Sequence, residues 1–252
     1  RISGEGKDRR RVKGDYYLSE REEEDLRYLA EMNKPVILIL NAGGPVELTD
    51  ILEQTDNIKG ILNISQLGQE GGDALADVLL GKEVPGGKLT TTWARRYKDY
   101  PASEEYGYLN GNLEKEKYKE GIYVGYRYFD SFDKKVMFPF GFGLSYTMFE
   151  MKCCSINMEE SKIRAEVQVT NTGNEYAGKE VVQIYVTLPQ TELEKEYKRL
   201  AGFAKTRLLK PGETQTLTVE IPQKQLASFN EKTHTWIVEK GKYGILVGNS
   251  SD

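Results

Sequence analysis

The spacing of apolar residues changes once along this chain, near residue 147, and that change limits the architecture more than any single residue does. Before it, apolar residues recur at helical spacing or stand in short unbroken runs; after it they alternate with polar ones. Helical and strand periods present different faces for burial, so the two stretches are expected to fold separately. The reading is two domains, residues 1–147 and 148–252.

In the first stretch, Ser19 followed by Glu22 is a capping-box pattern, and "EREEEDLRYLAEM" places Leu26, Leu29 and Ala30 at helical spacing. After Pro35, "VILILN" is an unbroken apolar run of strand length, which suits a strand covered on both faces of a parallel sheet. "GILNIS" follows as a second run. "QEGGDALADVLLG" reads as a helix stopped by Gly81, and "GKLTTTW" as a short third strand. Together they predict an α/β layered domain with a mostly parallel sheet. Tyr97 to Tyr128 is polar, tyrosine-rich and without clear period, a long excursion of the kind that is functional or disordered.

In the second stretch, "KIRAEVQVTNTG", "KEVVQIYVTL", "KRLAGFAKTRL", "TQTLTVEIP" and "YGILVG" are alternating runs separated by turn signals such as Asn171–Gly173 and Pro211–Gly212. Strands at this density predict an all-β sandwich of immunoglobulin or fibronectin type III character.

Charge excludes some functions. Lys and Arg number 35 against 39 Asp and Glu, net −4, spread along the chain, so there is no basic footprint for nucleic acid. No apolar run reaches the roughly 18 residues of a membrane span. The only cysteines, Cys153 and Cys154, are adjacent; in a regular strand they face opposite sides. They read as free thiols, which leans toward a reducing compartment such as a bacterial cytoplasm. A chain that opens on Arg reads as one whose true beginning lies upstream. With a single histidine, His234, a Ser-His-Asp triad has only that residue to use, and His-rich zinc sites are excluded. No acidic cluster has calcium-loop spacing, so neither metal nor cofactor is expected.

Several glycine clusters invite a phosphate-binding reading. "GKEVPGGKLT" fails it, because Gly86 and Gly87 interrupt the spacing and Leu89 follows Lys88 where Ser or Thr is required. "LGQEGG" before a helix reads as a plain loop-to-helix turn, or as an anion site at the helix start. "NAGGP" follows the strand "VILILN" where open α/β sheets place their ligands. In "RISGEG", Ile2 reads as the tail of a preceding strand, which puts Glu5 in a comparable loop. On residue chemistry alone, Glu5 is a solvated acid or a reagent. The aromatic phrases "EGIYVGYRYFD" and "FPFGFGLSY" suit packing between domains or stacking on sugar rings.

Four phrases in order, "SGEGKDR", "GQEGGDALADVLLGKEVPGGKLTTTW", "EGIYVGYRYFD" with "FPFGFGLSYT", and "VTNTG…AGKEVVQIYV", resemble the C-terminal half of glycoside hydrolase family 3 enzymes, the β-glucosidases and β-xylosidases. The resemblance covers essentially the whole chain. It implies an (α/β)6-type sandwich domain, incomplete at its N-terminus, followed by a fibronectin type III-like domain. It also implies a partner, a (β/α)8-type barrel domain of the same parent protein, which is absent from this chain and whose order in the parent this sequence does not give.

The family resemblance implies a retaining exo-β-glycosidase acting on terminal β-linked sugars of an oligosaccharide or glucoside, with a nucleophilic Asp on the barrel. By its place in "SGEG", Glu5 matches the general acid/base; Asp8, three residues on, is the competing acid. Retaining hydrolysis needs two carboxyl groups roughly 5–5.5 Å apart, so the isolated chain is expected to be inactive. A free Glu, with a pKa of about 4.3, must be raised by burial or a neighbouring carboxylate to donate a proton at neutral pH. Lys7, Arg9, Arg10 and Arg11 oppose that rise if they point inward, so they are expected to face solvent or to pair with acids such as Asp8 and Asp15. The rival reading is a non-catalytic carbohydrate-binding or assembly module.

Overall fold

The computed structural model of the chain describes residues 9–105, 114–115 and 117–252. They form two compact units that interleave in sequence: Arg1–Leu80, Trp93–Lys119 and Lys135–Met137 make the first, and Gly81–Thr92, Glu120–Lys134 and Phe138–Asp252 the second.

The first unit opens with a turn that leads into α1 (Glu20–Glu31). The expected capping box is present: the Glu22 carboxylate accepts from Ser19 N–H at 2.7 Å, and Ser19 Oγ accepts from Glu22 N–H at 3.3 Å. β1 (Val36–Leu40) pairs in parallel with β2 (Ile58–Asn63), with α2 (Thr49–Gln54) between them in the chain. Parallel neighbours need such a crossover, and here the loop after β1 supplies Ala42, Val46 and Leu48 to the core and α2 supplies Ile51. α3 (Gly71–Leu79) runs to Leu80, and Gly81 ends it at φ 72°, a left-handed conformation that glycine adopts without strain.

Two expectations for the first stretch of the sequence are corrected. "VILILN" is not covered on both faces: Ile37 is 59% and Ile39 37% exposed, because among the described residues its sheet has two strands and one face of β1 has no cover. "GKLTTTW" is not a strand over its length. Only Trp93–Ala94 (β3) is extended in a sheet, paired with β4 (Val136–Phe138). Leu89 instead makes two backbone bonds to the "FPFGFG" turn, its N–H donating to Phe142 O and its carbonyl accepting from Gly141 N–H, each 2.8 Å.

The second unit is the expected sandwich. One antiparallel sheet has the order β5 (Phe149–Met158), β6 (Lys162–Asn171), β9 (Thr214–Pro222); the other has β12 (Gly244–Gly248), β7 (Val181–Thr187), β8 (Lys198–Lys205). β6 alternates strictly, burying Ile163, Ala165, Val167 and Val169, and these pack with Val182, Ile184 and Val186 of β7 and with Leu217, Val219 and Ile221 of β9. A small hairpin, β10 (Ser228–Asn230) with β11 (Thr235–Ile237), has no counterpart in the sequence reading.

β7 differs from its neighbours, since five consecutive residues, Val182 to Val186, are buried. α4 (Tyr126–Ser131) and the "FPFGFG" turn cover its outer side. At Cys153 and Cys154 the alternation expected of β5 is interrupted by a bulge between Cys153 and Ser155, and both thiols are free and exposed.

Candidate functional site

Glu5, the predicted acid/base, lies outside the described residues, as do Lys7 and Asp8. Arg9 stands on a short turn ahead of α1. The Arg9 guanidinium donates from Nη1 to Pro45 O and from Nη2 to Asp15 O, and its Nε stands 3.5 Å from Asp15 Oδ1. It also sits over the Tyr16 ring, 5.5 Å from the centroid. Pro45 belongs to "NAGGP", the loop at the carboxyl end of β1, and a Cβ added to Gly44 would lie 3.4 Å from Arg9 Nη1.

Asp15 collects the positive charge of this turn. Its Oδ2 accepts from Arg10 N–H at 2.8 Å while Oδ1 faces Arg9. Arg11 turns outward to Glu104 at 3.4 Å and lies over the Tyr97 ring at 5.4 Å. Arg9 and Arg11 thus have acidic partners as expected, Asp15 being one of those anticipated and Glu104 not; Arg10 is exposed.

Beneath the turn, Tyr16, Tyr97 and Tyr100 form an edge-on ring cluster, with centroids 4.9 Å apart for Tyr16–Tyr97 and 6.3 Å for Tyr97–Tyr100. Burial, reinforced by Tyr100 and Glu47, pushes the Tyr16 hydroxyl far above the ordinary phenol range, and burial raises Tyr100 as well. Neither tyrosine ionises at working pH, so both serve as neutral packing groups. Glu47, from the loop after β1, accepts from Tyr97 N–H at 2.7 Å and from Arg96 Nη1 at 3.4 Å. Arg96 also donates to Asp50 at 2.6 Å, a bond that holds the Asp50 carboxyl below the usual carboxylate range. Sequence reasoning singled out none of Tyr16, Glu47, Tyr97 or Tyr100. Their only signal was tyrosine density near Tyr97, and the pairings span about half of this unit.

The second unit answers the questions left by the glycine and aromatic phrases. Lys88 of "GKEVPGGKLT" is largely buried; its ammonium meets Glu180 at 2.8 Å and donates to Gly143 O at 2.9 Å. Lys205 donates to Gly86 O at 2.7 Å. The phosphate-loop look therefore conceals a packing joint. Tyr126 packs against Phe140 and Tyr185, and its hydroxyl accepts from Leu200 N–H at 2.8 Å. A Cβ at Gly141 would fall 2.1 Å from Gln183 Oε1, and one at Gly143 would fall 2.3 Å from Gly87 O. In "FPFGFG", then, the backbone approaches its neighbours too closely for any side chain, and Gln183 fastens it by donating to Gly141 O and Asn249 O. Tyr126 and the buried Phe129 of these phrases serve packing within the unit.

Asp130, at the end of α4, faces Lys198 Nζ at 3.4 Å. Burial outweighs that attraction and raises its carboxyl to about 6, with Asp252 adding to the rise. His234 is exposed in the β10–β11 turn at φ 53°, a position that offers no buried triad. Among the described residues no group of three or more His, Cys, Asp or Glu side chains is arranged to hold a metal ion, and no helix is long and apolar enough to cross a membrane.

The Glycosyl hydrolase family 3 C-terminal domain matches residues 1–126, half of the chain. The chain belongs to glycosyl hydrolase family 3. The Fibronectin type III-like domain matches residues 180–251, within the β-sandwich of the second unit. Among the family's relatives, Beta-glucosidase A of Butyrivibrio fibrisolvens is 40% identical over 94% of this chain and 31% of its own length. An exo-alpha-(1->6)-L-arabinopyranosidase of Bifidobacterium breve is 36% identical over 90% of this chain and 29% of its own. The solved structure of beta-glucosidase 3B from Thermotoga neapolitana in complex with alpha-D-glucose is 45% identical, with a TM-score of 0.92 over 100% of this chain and 35% of that one. The chain thus spans about a third of the length of the relatives it matches.

Proposed function

We propose that these residues form part of a retaining exo-β-glycosidase, a β-glucosidase foremost, that releases terminal sugars from β-linked oligosaccharides or glucosides. Glu5 is its general acid/base, and the nucleophilic Asp stands on a (β/α)8-type barrel domain of the same protein. In this reading residues 1–147 are the acid-bearing sandwich domain and residues 148–252 its fibronectin-like companion.

The observation that carries the reading is family membership joined to the names of the relatives, beta-glucosidases from several organisms. Geometry adds a reason for the division of labour. The covalent step needs a carboxylate on one side of the anomeric carbon and an acid on the other, roughly 5–5.5 Å apart. The nucleophile attacks and forms a glycosyl ester as Glu5 protonates the departing oxygen. Glu5 then takes a proton from the water that cleaves the ester. An acid of this kind must hold its proton near neutral pH, which a second domain supplies by excluding water and by bringing its own carboxylate close.

The test is Glu5→Ala in the intact enzyme. Turnover of cellobiose should collapse, while an activated aryl glucoside still reacts and added azide restores rate as a glucosyl azide forms. Wild-type rates on both substrates would overturn the assignment.

One observation favours the second reading, a carbohydrate-binding or assembly module: Phe229 and Trp236 pair across the β10–β11 hairpin at 5.5 Å with Trp236 70% exposed. Exposed aromatic faces of this kind stack on sugar rings. Calorimetric titration of this chain with cellobiose separates the two, since the enzymatic reading expects no binding without the barrel.

A further inference from the structure

We propose that Cys153 and Cys154, on the bulge of β5, form a chelating dithiol site for a soft three-coordinate group, a trivalent organoarsenical. The proposal goes beyond the glycosidase reading and does not depend on it. These two residues are the only cysteines of the chain. Both are free and exposed, although cysteine is among the residue types most often buried. Packing does not account for them: β5 adds Phe149 and Met151 to the sandwich core and neither cysteine. What an exposed thiol offers is reactivity.

Neighbours in a regular strand point to opposite faces and would not share a ligand. β5 is not regular here. Cys153 lies opposite Val167, a fully buried residue of β6, whereas Ser155 lies opposite Glu166 and donates to its carboxylate at 3.2 Å. Val167 and Glu166 are consecutive and face opposite sides of the sheet, so Cys153 and Ser155 do as well. Residues two apart share a face in an unbroken strand. Cys154 is therefore the extra residue that takes up the change. Its thiol donates to Lys152 O at 3.6 Å. That carbonyl belongs to the peptide joining Lys152 to Cys153, so Cys154 Sγ is folded back beside the backbone of the other cysteine. β5 is the outer strand of its sheet, and a ligand reaches the pair without displacing a neighbouring strand.

The number of sulfurs selects the ligand. A structural zinc takes four ligands, and among the described residues no third His, Cys, Asp or Glu joins the pair. A direct disulfide is disfavoured too. Consecutive Cα atoms stand about 3.8 Å apart, short of the roughly 4.4–6.8 Å of ordinary disulfides, so the bond would be strained and readily reduced. Arsenic with one organic substituent needs two thiolates and holds them close together at one pyramidal atom. A bridging atom also enlarges the ring and relieves the strain. From an arsenoxide, two As–S bonds form and the As=O bond breaks. Both thiol protons leave with the oxygen as water. Arsenic stays trivalent, and nothing is oxidised or reduced.

The experiment treats the full chain, kept reduced by a phosphine, with phenylarsine oxide and reads the intact mass. One phenylarsenic per chain is expected, held against excess 2-mercaptoethanol and released by 2,3-dimercaptopropanol. Cys153→Ser and Cys154→Ser each leave one thiol. Retention against 2-mercaptoethanol should then fall by about 10²- to 10⁴-fold, the loss expected when the second attachment is no longer intramolecular. No adduct, two arsenicals per chain, or a wild-type adduct stripped as easily as those of the serine variants overturns the proposal. Circular dichroism of the loaded chain tests the part played by the fold. Both thiols face solvent, so the sandwich should keep its cooperative melt; its unfolding on capture would mean that the sulfurs must leave the strand to be bridged, and overturns the proposal as well.

Discussion

β1 and β6 are both rich in β-branched residues, yet they meet different fates. β6 buries every second side chain in a core shared with β7 and β9, with Ala165, Val167 and Val169 fully inaccessible. β1, more apolar in sequence, leaves Ile37 and Ile39 substantially exposed, and α3 nearby in sequence buries none of its residues completely. The difference lies in the number of layers present. A strand in a sandwich finds its second layer within the same unit, whereas a two-stranded parallel sheet needs helices on both faces to cover it. Apolar content measures what a strand is able to bury; burial depends on what stands opposite.

The most severe test applies one substitution to both regions. Val167→Asp places an unpaired charge in the sandwich core and should abolish cooperative folding of that unit, a loss above about 4 kcal/mol. Ile37→Asp in this chain should change stability by no more than about 0.5 kcal/mol. Thermal melts followed by circular dichroism distinguish them, and similar losses at both sites would erase the contrast.

Next in size is the joint between "GKEVPGGKLT" and the sandwich. Lys88→Met leaves Glu180 buried without its partner ammonium and should cost about 3–5 kcal/mol in urea unfolding. The double variant Lys88→Met with Glu180→Leu should recover most of that loss, because two apolar groups leave no stranded charge.

Asp130 offers a pH-dependent comparison. Its carboxyl is raised to about 6 in the folded state by burial, against an ordinary value of 3.8. The folded protein therefore holds this proton more tightly than the unfolded chain does. Its stabilising contribution is complete below about pH 3.8 and is lost as pH rises through about 6, on the order of 1–3 kcal/mol in all. Asp130→Asn should flatten that part of the stability profile and leave the variant the more stable of the two at pH 7. Profiles that run parallel across the interval would show that Lys198, 3.4 Å away, already cancels the burial.

The smallest effect belongs to α1. Ser19→Ala removes the cap that Glu22 N–H donates to and should cost about 1 kcal/mol, read from the melt of the first unit.

Local chemistry was legible wherever it acts over a few residues. The capping box at Ser19 and Glu22, the stop at Gly81, the strict alternation of β6 and the failure of "GKEVPGGKLT" as a phosphate loop all follow from spacing that a short segment contains. The β10–β11 hairpin was missed because its strands are three residues each, too short for a period to show. The aromatic phrases stayed ambiguous for another reason. Tyr126 and Phe140 look alike as sugar platforms and as packing groups until Tyr185 and Gln183 are seen against them. Glu5 was marked by its phrase alone and lies outside the described residues.

By itself the sequence determined two kinds of element, their order, the family and the residue types on each face, because propensity, capping and period are written in neighbouring residues. Tertiary structure alone decided that Lys88 neutralises Glu180, that Arg9 reaches Pro45, and that a tyrosine cluster supports the turn carrying it. The first two contacts join residues 36 or more positions apart, and the cluster brings Tyr16 against Tyr97. A contact over that distance depends on how the chain closes on itself, and no local pattern records it.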